Sequence, residues 1–156
     1  MKAITVCQPY AHLILLPDSH PDFKRTENRM WHTGYTGPLL IHAGKSRSWL
    51  ETDDDDPSLV AFCDEPVRVA DLVFGAIVGV VDQVGCWPAA ALRAGMVRGL
   101  EWLKGHSHIE GPMCHVYLNP RRFETPVPYK GSQGFFDVPD AVVAEAIARA
   151  EAVPSL

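Results

Sequence analysis

At 156 residues, with 47% hydrophobic and 21% charged side chains, the chain has room for one domain with a real core and the composition of an ordinary soluble globular protein. No run approaches the roughly 20 apolar residues needed to span a bilayer, and MKAITVCQPY lacks a charged leader ahead of a long apolar stretch, so a cytoplasmic protein with no membrane partner is expected. The net charge of -5 does not exclude an anionic ligand: residues 51–71 hold eight acids against Arg68 alone, so of 14 basic and 19 acidic residues the remainder keeps 13 and 11, a local excess of +2.

Residues 2–6 alternate weakly and predict a first strand. QPYAHLILL then changes period, with Tyr10, Leu13 and Ile14 on one helical face and Pro9 at the first helical position, where its missing N–H costs nothing. Gln8 and Tyr10 would flank that helix N-terminus, whose free N–H groups can receive an anion or a polar ligand edge. After the turn PDSHPDF, strands are predicted over 25–31 and 38–42, joined through Gly34 and Gly37 and pairing as antiparallel neighbours. A helical turn at 46–50, a solvated acidic loop near 51–58 and a short helix at 58–63 follow.

The longest apolar strand spans 72–87, with Gly75 and Gly79 marking bends or close backbone approach. Leu92, Met96, Leu100 and Leu103 then predict an amphipathic helix that opens at Pro88 and breaks near Gly95 or Gly99. GPMCHVYLNP reads as a strand, RRFETPVPYKGSQG as an extended segment whose prolines discourage a central strand, and GFFDV as a last short strand. Asp140 caps a C-terminal helix near 140–152 that carries Val142, Val143, Ala146, Ile147 and Ala150 on one side. Strands with long loops and no regular β-α-β units predict a single α+β domain over 1–156, a curled sheet or small barrel with peripheral helices.

Cys7, Cys63, Cys86 and Cys114 are widely spread with no C-x-x-C pair, which suits reduced core thiols. His106, His108, Cys114 and His115 have metal-ligating chemistry, but H-x-H in a Gly-containing loop does not by itself make a site, and neither a metal nor a cofactor is expected. The densest polar block is KRTENRMWHTGYTGPLLIHAGKS, residues 24–46. Glu27 and Arg29 are two apart and so share a strand face, where they can pair and present hydrogen-bonding atoms; Trp31 has the same parity. Tyr10 and Trp31 offer faces for stacking a base, while Gln8 or Asn28 can read a base edge. Lys24 and Lys45 are candidate phosphate contacts, with Arg25, Arg47, Arg121, Arg122 and Lys130 widening a basic rim, and Ser132 adds a hydroxyl donor. His42, ending the run LLIH, is a candidate general acid or base whose bland alternative is a core histidine bonded to backbone.

ITVCQPYAHLIL, KRTENRMW, GPLLIHAGK and YLNPRRFETPVPYKGSQGFFDVP, in that order, resemble an ASCH domain, the activating signal cointegrator homology domain of the PUA-like superfamily. The family pattern G-x-K-x-x-E-x-R falls on Asp22, Lys24, Glu27 and Arg29, departing at its first position, where Asp22 replaces the glycine. The resemblance implies a small β-barrel with helices around it, a polar cleft beside the motif, and RNA-related roles: nucleic-acid binding, ribonuclease activity in some members, and amidohydrolysis of acetylated cytidine in another branch. In that last branch the position matching Glu27 is a threonine nucleophile assisted by a lysine matching Lys24. Glu27 cannot take that part in the same way, and Thr26 would face the other side of the strand.

Four functions follow as expectations. The first is a module binding RNA or a nucleotide-like ligand. The second is a metal-independent ribonuclease in which Glu27 or His42 takes the 2′-hydroxyl proton and Lys24 stabilises phosphorane charge. The others are a modified-nucleoside amidohydrolase and a domain that captures a basic protein partner through its acidic loop.

Overall fold

The computed structural model describes residues 1–152. Six strands form one mixed sheet: β1 (Lys2–Val6), β2 (Thr26–Arg29), β3 (Gly37–Ala43), β4 (Ala76–Pro88), β5 (Met113–Pro128) and β6 (Phe135–Asp137), in the order β2-β5-β4-β3-β1-β6. The helices are α1 (Tyr10–Ile14), α2 (Ala89–Arg93) and α3 (Asp140–Ala152). β1 runs parallel to β3, and every other pairing is antiparallel.

Alternation along the strands builds two cores. Ile4, Val6, Leu39, Ile41, Val81 and Tyr117 point to the concave side and pack with Ala11, Ile14 and Leu15 of the α1 segment. Their neighbours Ala3, Leu40, Ile77 and Val80 point the other way and are covered by Val143 and Ala150 of α3. Each such fully buried aliphatic side chain is worth about 1.5–3 kcal/mol, and a one-residue slip would move the whole set to the wrong face. The sheet curls until its two edges approach: Trp31, just past β2, meets Phe135 of β6 edge-on at 5.1 Å, and Arg29 of β2 donates to the Thr5 carbonyl of β1 at 2.7 Å. The result is the α+β curled barrel with peripheral helices expected from the sequence.

Gly79 makes the tight curl possible. A Cβ there would lie 2.7 Å from both the Arg121 carbonyl and the methyls of Leu15, and the β4–β5 pairing shifts register between Ile77 and Gly79. The predicted helix after Pro88 is broken as its glycines require: α2 ends at Arg93, Gly95 and Gly99 adopt φ of +68° and +83°, and a 3₁₀ turn covers Glu101–Gly105.

Several expectations are corrected. β2 and β3 are not hairpin partners: β2 pairs with β5, while β3 lies between β1 and β4. Residues 58–63 form no helix; Thr52 bridges Val60 and Leu59 bridges Arg68, closing a small apolar cluster of Val60, Val67 and Leu72 beneath the acidic segment. That segment is anchored by Asp22, whose carboxylate accepts from the Asp64 and Glu65 N–H groups at 2.7 and 2.9 Å, so the residue that replaces the motif glycine has a structural task. β5 continues through Pro126 to Pro128, because β2 covers only residues 113–116 of it and the proline-bearing half needs hydrogen bonds on the β4 side alone. Val142 is exposed rather than packed with Val143. Asp140 pairs with the N-terminal ammonium at 2.9 Å.

Candidate functional site

The sequence motif opens onto a cleft of about 330 Å³. Its walls are the end of β1 (Thr5, Val6, Cys7), Tyr10 of α1, the β2 segment (Lys24, Glu27, Asn28, Arg29), Trp49 from the loop after β3, and His108 and Glu110 from the loop before β5. A groove of about 380 Å³ between residues 124–128 of β5 and Val142, Ala146 and Arg149 of α3 holds none of the predicted site residues.

Period-two alternation places Glu27 and Arg29 together, as predicted. Arg29 Nε lies 3.7 Å from Glu27 Oε1, and Lys24 Nζ lies 3.6 Å from Glu27 Oε2, so the carboxylate sits between two cations. Lys24 is 2% exposed; it donates to the Thr26 carbonyl and its ammonium stands 5.7 Å from the Tyr10 ring centroid. Burial pushes the Lys24 pKa down, and the charge and hydrogen bond of Glu27 oppose that shift. Glu27 Oε2 and Arg29 Nε are buried without a hydrogen-bond partner among the described residues. The carboxylate and the guanidinium thus stand side by side on the cleft wall, held by ion-pair contacts of 3.6 and 3.7 Å that leave part of their hydrogen-bonding capacity unused.

The surroundings are polar but nearly balanced in charge. With Lys24 charged, two cations face Glu27 and Glu110, and His108 is neutral at pH 7 because burial and Lys24 lower its pKa to about 4. Burial, followed by the nearby acids Glu110, Glu51 and Glu27, raises the Tyr10 phenol and keeps it a hydrogen-bonding group. Burial likewise raises the Cys7 thiol. Such a site favours a neutral polar ligand edge over a bare phosphate.

Four of the other predicted residues serve the fold. Gln8 is buried; its Oε1 accepts from the His12 N–H at 3.0 Å and its Nε2 donates to the Val73 carbonyl at 2.9 Å. With the Ala11 N–H bonded to the Cys7 carbonyl at 3.2 Å, two of the first N–H groups of α1 are already engaged, which leaves little of that end for an anion. Asn28 lines the cleft, but its amide donates to the His108 carbonyl and its Oδ1 accepts from the Glu110 and Gly111 N–H groups, which fixes the wall that carries His108 and Glu110. His42 is 2% exposed, with Nδ1 3.2 Å from the Thr5 hydroxyl and Nε2 2.7 Å from the Tyr129 carbonyl; it lies outside the cleft and the ribonuclease scheme loses that base. Trp31 is outside too, because β2 ends at Arg29 and strand parity ends with it; the ring packs on His115 at 4.5 Å in the barrel.

The basic rim does not assemble. Lys45, Lys130 and Ser132 are exposed and line no part of the cleft. Arg25 is fully buried, donating to the Ile14, Lys24 and Leu16 carbonyls and pairing with Asp18 at 2.7 Å. Arg47 lies over Phe74, Arg121 pairs with Asp82 and Arg122 donates to the His12 carbonyl. Of the four metal-ligating candidates, His106 accepts from the Arg25 N–H, Cys114 donates to Asn28, and His115 sits against Trp31, while only His108 reaches the cleft.

Sequence reasoning missed Trp49. It is 64% exposed and lines the cleft that Tyr10 also lines, whereas Trp31 does not. Its signal was present as an unexplained aromatic in the polar run GKSRSWLETD. Glu110 was also missed, and His108 was weighed only as a metal ligand, because a wall supplied by a loop some 80 residues from the motif has no local pattern.

No protein-family model matches the chain, and no curated protein matches its sequence. Among solved structures, the crystal structure of a mutant ZmASCH protein from Zymomonas mobilis is similar over 92% of this chain and 94% of its own, with a TM-score of 0.49 and 10% identity. That degree of likeness assigns no activity to this chain.

Proposed function

We propose that the protein is an ASCH-type binding module whose cleft takes one nucleoside unit, free or at the end of an RNA, and holds it chiefly by the base. The observation that carries this reading is the Glu27 carboxylate beside the Arg29 guanidinium, 3.7 Å apart with hydrogen-bonding capacity unused, in a cleft that Tyr10 and Trp49 also line. A base edge presents donors and acceptors side by side, and a π-face suits the two aromatic walls. A volume of about 330 Å³ is at the small end of ligand sites and suits a nucleoside better than an oligonucleotide. The near balance of charge and the dispersed rim both favour recognition of the base over the phosphate.

The test is a titration of the purified protein with the four nucleosides, their 5′-monophosphates and short mixed-sequence RNA without added metal, followed by tryptophan fluorescence and by RNA length. The reading expects at least one nucleoside to bind and to change Trp49 emission. It expects weak salt dependence, because few phosphates are contacted, and loss of binding in Glu27→Ala and Arg29→Ala. RNA shortened by the native protein and not by Glu27→Gln would assign a ribonuclease instead. No binding by any of the compounds refutes the reading.

A further inference from the structure

Next to Glu27 across the sheet lie buried polar residues that line no part of the cleft. In the β2–β5 pairing Glu27 stands opposite His115, and in the β4–β5 pairing Gln83 stands opposite Tyr117. Opposed residues share a sheet face, and His115 and Tyr117 are two apart on β5, so the four form one row across three strands. His115 and Tyr117 are 0% exposed and Gln83 is 1% exposed. Among the described residues, Glu27 Oε2, His115 Nδ1, Tyr117 Oη and Gln83 Oε1 are all buried without a hydrogen-bond partner.

The row cannot satisfy itself. His115 Nε2 lies 3.3 Å from the Trp31 carbonyl, which only accepts, so Nε2 carries the proton; burial lowers the imidazole pKa, which leaves Nδ1 an acceptor. Gln83 Nε2 donates to the Tyr35 carbonyl at 3.3 Å, so its Oε1 is also an acceptor. Apart from the Lys24 ammonium, which stands 3.6 Å from Glu27 Oε2, the row's three acceptors therefore share one donor, the Tyr117 hydroxyl. Buried polar atoms are almost always bonded, and the small molecule that brings donors to such a row is water, which typically makes about three bonds where it is buried.

We infer that this row is an internal hydration site, in which water joins Tyr117 Oη, His115 Nδ1 and Gln83 Oε1 to Glu27 Oε2, and that Tyr117 is thereby a positioning residue for the Glu27 carboxylate. The inference does not depend on the identity of the cleft's ligand. It gives Glu27 a support across the sheet, independent of the Lys24 and Arg29 cations, and it makes the buried row part of the site.

Three measurements on the full chain decide it. An atomic-resolution crystal structure should place ordered water within hydrogen-bond distance of both Tyr117 Oη and Glu27 Oε2, or a pair of waters linking them; a dry row, or a direct bond from Tyr117 to another side chain, overturns the inference. Tyr117→Phe should lower the ratio of folded to unfolded protein by about 2- to 10-fold, as loss of a made hydrogen bond does, whereas equal or greater stability would mean that the hydroxyl had no partner. Glu27→Gln should shift the Tyr117 hydroxyl proton resonance, while an unmoved resonance refutes the positioning role. Should Tyr117→Phe fail to fold, the first and third measurements still decide.

Discussion

Lys24→Met is expected to stabilise the protein. Lys24 is 2% exposed, and burial depresses its pKa against the opposing pull of Glu27, so the folded state bears a net cost for the ammonium. Methionine keeps the apolar stem and removes the charge. Glu27 retains Arg29 at 3.7 Å, so its carboxylate is not left alone. Replacing buried ionic groups by apolar ones of similar volume gains about 1–4 kcal/mol where no partner charge is stranded, and Arg29 is what meets that condition here. The lost bond to the Thr26 carbonyl returns about 1 kcal/mol, which leaves a net gain between about 0 and 3 kcal/mol. At this chain length a gain in the middle of that range, about 1.5 kcal/mol, raises the midpoint by about 3–6 °C. The reciprocal change, Glu27→Ala, strands a buried ammonium beside Arg29 and is expected to cost about 3 kcal/mol. Urea and thermal unfolding at pH 7 of both variants and of the double variant measure the two effects and their coupling. Lys24→Met less stable than the native protein by more than about 1 kcal/mol, with an unchanged m-value, would refute the reasoning and make Lys24 a structural residue. A stabilised Lys24→Met that binds nucleoside more weakly would show stability given up for function.

Three further outcomes are expected. Trp49→Ala, at a 64% exposed position, should change stability by less than about 0.5 kcal/mol while weakening nucleoside binding, as equilibrium unfolding and fluorescence titration would show; undiminished binding removes Trp49 from the site. Acid should destabilise the fold between about pH 6.5 and pH 4: burial lowers the pKa values of His12, His106 and His108 to about 4, so the unfolded chain takes up their protons first and stability is lost as pH falls through that window. Each group is partly open to solvent, which discounts the full value, and the combined loss expected is of the order of a few kcal/mol. Chemical denaturation at a series of pH values checks this, and a flat profile from pH 6.5 to 4.5 contradicts it. Gly79→Ala should destabilise by about 1–3 kcal/mol, since its Cβ would meet the Arg121 carbonyl and Leu15 at 2.7 Å and the backbone neighbour cannot swing away.

The parts of the fold that the sequence reveals are those written in local periodicity. β1, β6, α3 and the glycine-broken segment after Pro88 were legible because alternation, helical spacing and turn residues act over a few positions. The pairing of β2 with β5 was not legible, since Thr26 and Val116 are partnered by the closure of the whole sheet and nothing near β2 names its neighbour. Residues 58–63 read as helical because Leu59, Val60, Phe62 and Cys63 are apolar at short spacing, yet tertiary bridges and the Asp22 anchor hold them extended or turned. In the site, Glu27 and Arg29 were legible from parity, while Lys24 was singled out as a cation in the same polar block and by the family pattern. Trp31 failed for a physical reason: parity is a property of a strand, and the strand stops two residues earlier. Gln8 and His42 failed because a polar side chain at the edge of a core bonds first to the nearest unpaired backbone group, as both do here.

The most direct test of the central claim is a crystal structure of the protein with the tightest-binding nucleoside. The account predicts the base in the cleft between Tyr10 and Trp49, with its edge within hydrogen-bond distance of the Glu27 carboxylate and the Arg29 guanidinium. A nucleoside seated elsewhere, for example in the groove between β5 and α3, or a cleft free of ligand at saturating concentration, would contradict it.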